Sequence, residues 1–465
     1  MTDPQWYSVL PPVLAIGLAI ATRQVLPSLF AGIWMGTTLL ADFNPLAGLG
    51  AGIDSLINVF SDAGDTRVLI FTLLIGSLIA TIEQSGGIRG FVHFLETRRW
   101  VHNGKRAQFL AWVTGIVIFI ESNITLLVAG SVSRPLFDRY KISREKLAYL
   151  IDSTSAPVCI MIPFNAWGAV IIALLASSGV ENALQVFVSS IALNFYALFA
   201  ILLSGIVIWK NINLGAMRAA EERTQNGELH WPGREPLLES IDAGDGQQGP
   251  ASFMVIPIAV MVLAMPLGLF ITGDGHIIEG SGSKSVLWAV CAGIATAWIM
   301  LLGTGRENIN SLMKTFMRGA GSLLPIAAIL LLALALGDVA KSLGTGIYVA
   351  NVVGDAVPFY LLAPLVFLVS AFIAFSVGSS WGTFAIMIPI VVPLAATLDL
   401  PIPLLLAAAV SGSIFGDHAS PISDTTVVAS MASATDHIEH VRTQLPYALT
   451  AGAAATLAFL LASFL

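Results

Sequence analysis

Long apolar blocks separated by short polar joints run the length of this chain. A helical membrane span needs about 20 apolar residues, and blocks of that kind cover residues 7–22, 25–41, 67–84, 147–178 and 183–209. A second set covers residues 252–272, 285–303, 319–340, 402–431 and 447–465. Two further blocks, 107–137 and 359–396, are interrupted midway by Glu121-Ser122-Asn123 and by Gly378-Ser379-Ser380-Trp381. Each is long enough for two half-spans and reads as a re-entrant helical hairpin, with a pair of full helices as the alternative. The pattern predicts an all-α polytopic membrane protein.

The two sets repeat. A shift of 258 residues without a gap pairs Gly86 with Gly344, Ser122 with Ser380, Thr125 with Thr383, Pro135 with Pro393, Ser153 with Ser411 and Pro163 with Pro421. Five crossings per half is an odd number, so the second half enters the membrane upside down. The predicted organisation is two inverted-topology repeats, each with five spanning helices, one of them broken, plus a re-entrant hairpin. The first repeat covers 1–209 (hairpin 107–137, broken helix 147–178) and the second 251–465 (hairpin 359–396, broken helix 402–431). Between them, residues 210–250 carry seven acids, four bases and a Gly-Gln-rich end, and read as a flexible cytoplasmic linker. Inverted repeats with broken helices are the sequence mark of alternating-access carriers.

Charge orients these blocks. Only 11% of residues are charged, against about 25% in soluble domains. Lys and Arg mark cytoplasmic loops; with both termini outside, all but Arg67, Lys284 and Lys341 of the 22 fall inside. No Lys or Arg precedes Arg23, so the first block is expected to stay as a span rather than be cleaved. The loop after the second block is acidic, with Asp42, Asp54, Asp62 and Asp65. Cys159 and Cys291 lie far apart in apolar segments and imply neither a disulfide framework nor a metal cluster. No basic stripe with interleaved aromatics points to nucleic acid.

The candidate chemistry sits where charge interrupts apolar sequence. Residues 411–430 (SGSIFGDHASPISDTTVVAS) carry Asp417, His418 and Asp424 inside an apolar block, and charges at membrane depth normally face a protein interior or a water path. Pro421 and the Ser, Thr and Asp residues around it predict an unwound break; a polar hinge or surface loop is the plainer alternative. In the first half, Glu121, Ser122 and Asn123 bring a lone carboxylate to a hairpin tip, unless Glu121 simply ends near the interface. Hard cations want oxygen ligands of these kinds. The segment 151–167 contains Pro157 and Pro163 and predicts a second break, with Asp152, Ser153, Thr154 and Asn165 around it. Asn165 pairs with Ser423 in the repeat and is expected to face Asp424. Asp152 has no acidic counterpart and is equally the partner of a basic residue near the cytoplasm. Ser379, Ser380 and Thr383 supply hydroxyls at the other tip, where Trp381 is either a cavity wall or packing.

The expected cation-binding set is Asp417, Asp424, Ser420, Ser423, Thr425, Ser379, Ser380, Thr383, Glu121, Ser122, Asn123 and Asn165, with sodium held at Asp417 and Asp424. The expected proton-coupling set is Asp417, Asp424, His418 and Asp152. Desolvation and a second acid nearby both favour the neutral form of a carboxylate, so such a pair exchanges a proton for a cation near neutral pH. His418 either shares that proton or is a hydrogen-bonded neighbour. The polar stretch 434–448 reads as a cytoplasmic loop without metal-ligand spacing.

Three stretches, 416–449 (GDHASPISDTTVVASMASATDHIEHVRTQLPYAL), 379–395 (SSWGTFAIMIPIVVPLA) and 134–158 (RPLFDRYKISREKLAYLIDSTSAPV), with IPFNAWGA at 162–169, resemble the NhaC-type sodium/proton antiporter family. The resemblance implies an inner-membrane secondary carrier with paired hairpins, broken helices and an elevator-like motion. It carries the cation site onto Asp417, Asp424 and the Ser and Thr around them, with Glu121 and Asn165 from the other half. The chain departs from the family at Phe119-Ile120-Glu121-Ser122, with a single acid where a more acidic pattern such as FFDD is expected. The family also includes carriers that look able to move organic acids or amino acids.

The leading reading is therefore sodium/proton antiport by alternating access, with no cofactor beyond the transported ions. The alternative keeps the fold and moves a small organic solute, an amino acid or carboxylate, coupled to sodium or protons, with Trp167 and Trp381 lining its pocket. An intramembrane aspartyl protease would also use Gly416-Asp417 and a second aspartate, but needs no inverted repeat, so no enzyme is predicted. Homodimerisation would anchor the static part of an elevator and is expected only by analogy.

Overall fold

A computed structural model describes residues 5–22, 24–91, 102–119, 121–163, 165–233, 249–276 and 280–464, and the elements among them are all helical. Arg23, Arg98, Arg99 and Arg234, counted above as cytoplasmic, lie outside the described residues. Nine described helices are long and apolar enough to cross a bilayer, or ten if Val25–Leu40 and Pro45–Val59, bent by 120° at their joint, form one span. In lipid every backbone polar group must be satisfied internally, so the interest lies in where the helices break.

Both blocks expected to form a hairpin or a pair of full helices break at their polar tips, and each arm of the second is long and apolar enough to cross a bilayer. The first runs as Gly104–Val117 and Ser122–Arg139, the second as Leu362–Val377 and Ser380–Thr397. At 1.5 Å per residue, the arms of the second are roughly 24 and 27 Å long, and Val377, Gly378 and Ser380 at its tip are buried inside the protein. Gly378 makes that turn with φ 71°, and a Cβ there would come 2.6 Å from Ile422 O. Both predicted breaks in spanning helices are also present. The first broken helix consists of Arg144–Asp152, the single turn Ala156–Cys159, and Ala166–Ser177; the second is Ile402–Ala419 followed by Asp424–Ser433, with Pro421 in the gap.

Ile402–Ala419 is the axis of the core, buried at nearly every position from Leu404 onward. The arm Leu362–Val377 lies along it because Gly412 and Gly416 have no side chain to keep the two backbones apart. A Cβ at those glycines would come 2.2 Å from Phe367 O and 2.1 Å from Ala371 O. Phe195–Lys210, Ser380–Thr397 and His437–Ala462 pack on the other sides of the axis.

Four stretches differ from the expectations. The acidic loop after the second block holds a helix, Pro45–Val59, capped by Asn44, whose side chain accepts from Leu46 N and Ala47 N. The block 183–209 is interrupted at 192–194, where buried Asn194 accepts from Ser411 Oγ at 3.1 Å. The stretch 434–448 is mostly helix: the last helix starts at His437, capped by Asp436, and runs 26 residues to Ala462. Part of the expected flexible linker is helical too, at Ala216–Gln225, and residues 234–248 lie outside the described residues.

That linker helix docks on the base of the first broken helix. Arg223 donates from Nη1 and Nη2 to Glu145 Oε1 and Oε2 at 2.8 and 3.0 Å, with both side chains buried. Glu221 Oε1 accepts from Ser143 Oγ at 2.6 Å, and Glu221 Oε2 lies 3.9 Å from Lys146 Nζ. Burial pushes the Lys146 ammonium below the usual lysine range, with Glu221 opposing. Two of the charges that made this stretch read as disordered, Glu221 and Arg223, are paired and inside.

Candidate functional site

Asp417 occupies the last turn of Ile402–Ala419 and is 1% exposed. Its Oδ1 accepts from Ser423 Oγ at 2.7 Å and its Oδ2 from Ser380 Oγ at 3.2 Å. Ser423 is the N-cap of Asp424–Ser433, and its oxygen also accepts from Thr425 N at 3.2 Å. Ser380 is the first residue of the second hairpin arm, whose N-cap Ser379 accepts from Gly382 N at 3.3 Å. Two helix N-termini therefore approach the carboxylate, while the C-terminal end of its own helix presents carbonyls. Helix ends of opposite sign around one point suit a bound ion.

The tip and the break hold each other. Ser420 Oγ donates to Phe375 O at 2.7 Å, Thr426 Oγ1 to Ser420 O at 2.9 Å, and Thr383 Oγ1 to Ser379 O at 2.9 Å. Thr425 Oγ1 lies 3.0 Å from Ser423 Oγ. Asp424 is different from Asp417: it is exposed, and its Oδ1 accepts from the backbone N–H of Thr425 at 3.0 Å. The expected aspartate pair is thus one enclosed carboxylate and one open one.

The first hairpin tip docks on the first broken helix in a similar way. Glu121, 7% exposed, accepts at Oε1 from Ser122 Oγ at 3.1 Å and Asn123 Nδ2 at 3.3 Å. Thr125 Oγ1 donates to Ile118 O and to Glu121 O. Asn165, expected to face Asp424, serves its own half: its Oδ1 accepts from Gly168 N at 3.0 Å, and its Nδ2 donates to Phe119 O and Cys159 O at 2.9 and 2.8 Å. As the N-cap of Ala166–Ser177 its amide is turned toward the hairpin tip.

Asp152, at the end of Arg144–Asp152, lies in a buried polar cluster. Its Oδ2 accepts from Gln444 Nε2 at 2.7 Å and lies 3.4 Å from His440 Nε2 and 3.7 Å from His418 Nε2. Gln444 Nε2 also donates to His418 O at 2.6 Å. His418 Nδ1 is 2.6 Å from Tyr196 Oη, and its Nε2 is 3.4 Å from Ser153 Oγ. The sequence reading found Asp152 and His418 and missed Tyr196, His440 and Gln444. The signal for the last two was their i, i+4 spacing, which puts them on one helix face.

Trp167 and Trp381 do meet across the halves, with ring centroids 4.4 Å apart, and Phe384 packs edge-on at 5.9 Å from Trp167. The rings contact each other rather than enclosing a pocket. A cavity of about 540 Å³ opens instead among Ser178, Glu181, Lys341, Pro389, Pro393 and Thr397, away from Asp417. Among the described residues, no group of three or more His, Cys, Asp or Glu is arranged to hold a metal ion.

Comparison with known proteins places this geometry. Residues 169–464 match the family model of the Na+/H+ antiporter family. An uncharacterized protein of Haemophilus influenzae is 32% identical over 98% of this chain and 91% of its own length. Shorter matches are to a malate-2H(+)/Na(+)-lactate antiporter of Bacillus subtilis, 34% identical over 23% of this chain and 22% of that protein, and to the arginine/ornithine antiporter ArcD of Halobacterium salinarum, 27% identical over 43% and 39%. The solved YdaH transporter of Alcanivorax borkumensis has the same fold, with a TM-score of 0.59, 15% identity and 98% of both chains covered.

Proposed function

The chain belongs to the Na+/H+ antiporter family, and from that premise we propose that it exchanges sodium for protons across the bacterial inner membrane by alternating access. The observation that carries this reading is Asp417: a carboxylate at the end of a broken helix, enclosed, and hydrogen-bonded to neutral hydroxyls of Ser380 and Ser423. A carboxylate so placed binds either a cation, with the hydroxyls as further oxygen ligands, or a proton, and not both. Competition for one position couples the two fluxes. Asp424, exposed beside the break, sits where an ion would first meet negative charge.

The moving part in this reading is the unit of hairpin tips and broken helices, carried as an elevator past the remaining helices. The two halves act as inverted repeats, and a homodimer holds the static helices in place. Each tip docks on the broken helix of its own half, which lets tip and break travel together.

A second reading, exchange of a small organic acid or amino acid, is favoured by what the Bacillus subtilis and Halobacterium salinarum relatives are named for. The mutual packing of Trp167 and Trp381 leaves no solute space between them and favours the first reading. Purified protein in liposomes with an imposed pH gradient and a pH-sensitive dye separates the two. Recovery of the dye on adding sodium supports cation exchange. No response to sodium, lithium or potassium, with accumulation of a labelled carboxylate or amino acid, overturns it.

A further inference from the structure

Two of the enclosed carboxylates differ in what faces them. Asp417 is bonded to hydroxyls; Asp152 is faced by imidazoles. Around Asp152, four atoms of buried side chains have no hydrogen-bond partner of good geometry: Asp152 Oδ1, Gln444 Oε1, and His440 Nδ1 and Nε2, the last 3.4 Å from Asp152 Oδ2 and in ion-pair range of it. Asp152 is 1% exposed, Gln444 1% and His440 0%. Buried polar groups are almost always hydrogen-bonded, and a buried carboxylate without a compensating positive partner is costly. Four such atoms in one cluster, on three side chains from two elements, mark a site whose occupant is shared between them. The imidazoles facing Asp152 are groups that take up and release a proton.

We infer that Asp152, His440 and Gln444 form a proton-holding site separate from the cation site at Asp417. The inference rests on the exchange reading for its role in transport, though not for the existence of the site. A proton on His440 makes an imidazolium against the Asp152 carboxylate; its departure leaves a neutral ring and a carboxylate bonded by Gln444 alone. Gln444 reports the change onward. Its two amide hydrogens go to Asp152 Oδ2 and to His418 O, one residue beyond Asp417, so a shift at Asp152 pulls directly on the helix end that carries the cation carboxylate. The other titratable groups around the cluster are Tyr149 from the same helix as Asp152, Asp417 and His418 from Ile402–Ala419, Tyr196 from Phe195–Lys210, Tyr447 from the last helix, and Asp424 across the break.

The test reads the proton first and transport second. Protein carrying ¹⁵N-labelled histidine in lipid nanodiscs shows seven histidines, and the His440 signals are assigned by their loss in His440→Gln. The expected result is a His440 ring signal that changes form as the pH is varied and is displaced in Asp152→Asn. A His440 signal that stays in one form throughout, or that is indifferent to Asp152→Asn, overturns the proposal. In liposomes, His440→Gln is expected to move the pH of half-maximal sodium-driven proton flux by about one unit or more while leaving half-saturating sodium at its optimum within about twofold. A slower flux with an unchanged pH profile would mean a purely structural histidine. A titrating His440 in protein that exchanges no cation would leave the proton site standing and remove the exchange reading alone.

Discussion

Asp417 owes its position to three serines and a helix end. Ser423 and Ser380 donate to it, and Ser379 starts the arm that brings Ser380 near. Replacing Asp417 by Asn keeps the shape and removes the charge, and sodium-driven flux is expected to disappear from protein that still folds. Ser423→Ala removes the shorter hydrogen bond and one oxygen ligand; a hydrogen bond to a charged group contributes about 1.5–3 kcal/mol, so half-saturating sodium should rise about tenfold or more. Asp424→Asn, at an exposed carboxylate, should act less than Asp417→Asn in the same flux assay. The residues of this site were legible in the sequence because a charge or a run of hydroxyls interrupts apolar blocks at Asp417, Ser379, Ser380 and Ser423. His440 and Gln444 were not, because their neighbours Asp436, Glu439 and Arg442 gave the stretch the composition of a surface loop. Only the burial of one helix face, which depends on partners far away in sequence, separates the two cases.

At the scale of elements, helix breaks follow from local chemistry and helix docking does not. Proline, serine and glycine wrote the gaps at 420–423 and 153–155 and the turn at Gly378 into the chain itself. The interruption at 192–194 carries no proline and was missed; Asn194 is tied there to Ser411 of the other half. The linker helix was missed for the converse reason, since two of its charges, Glu221 and Arg223, find partners on Arg144–Asp152. Arg223→Ala leaves Glu145 buried without its partner, which typically costs about 3–5 kcal/mol; the double variant with Glu145→Ala should recover part of that loss in thermal unfolding of the solubilised protein. Lys146 adds a pH dependence of known sign. Its ammonium is disfavoured in the folded chain, so the unfolded chain binds the extra proton and stability rises with pH up to the unfolded lysine value of about 10.4. That rise should be present in the wild type and absent in Lys146→Met; an equal slope in both would show that Lys146 is not its source.

For the whole molecule, an all-helical, polytopic chain was readable from block lengths, because a bilayer of fixed thickness sets them. The division of labour inside was not. Two enclosed carboxylates from different halves, Asp417 among hydroxyls and Asp152 among imidazoles, lie near one another through the bridging amide of Gln444, and only the folded chain brings that amide to both. The central claim is that sodium and a proton exclude one another in this interior. It is tested most directly by adding sodium to purified protein in weakly buffered detergent solution and recording proton release. Release that saturates with sodium, falls away at high pH where no proton is held, and is absent from Asp417→Asn is the predicted result. Sodium binding measured in the same sample without release of any proton would contradict it.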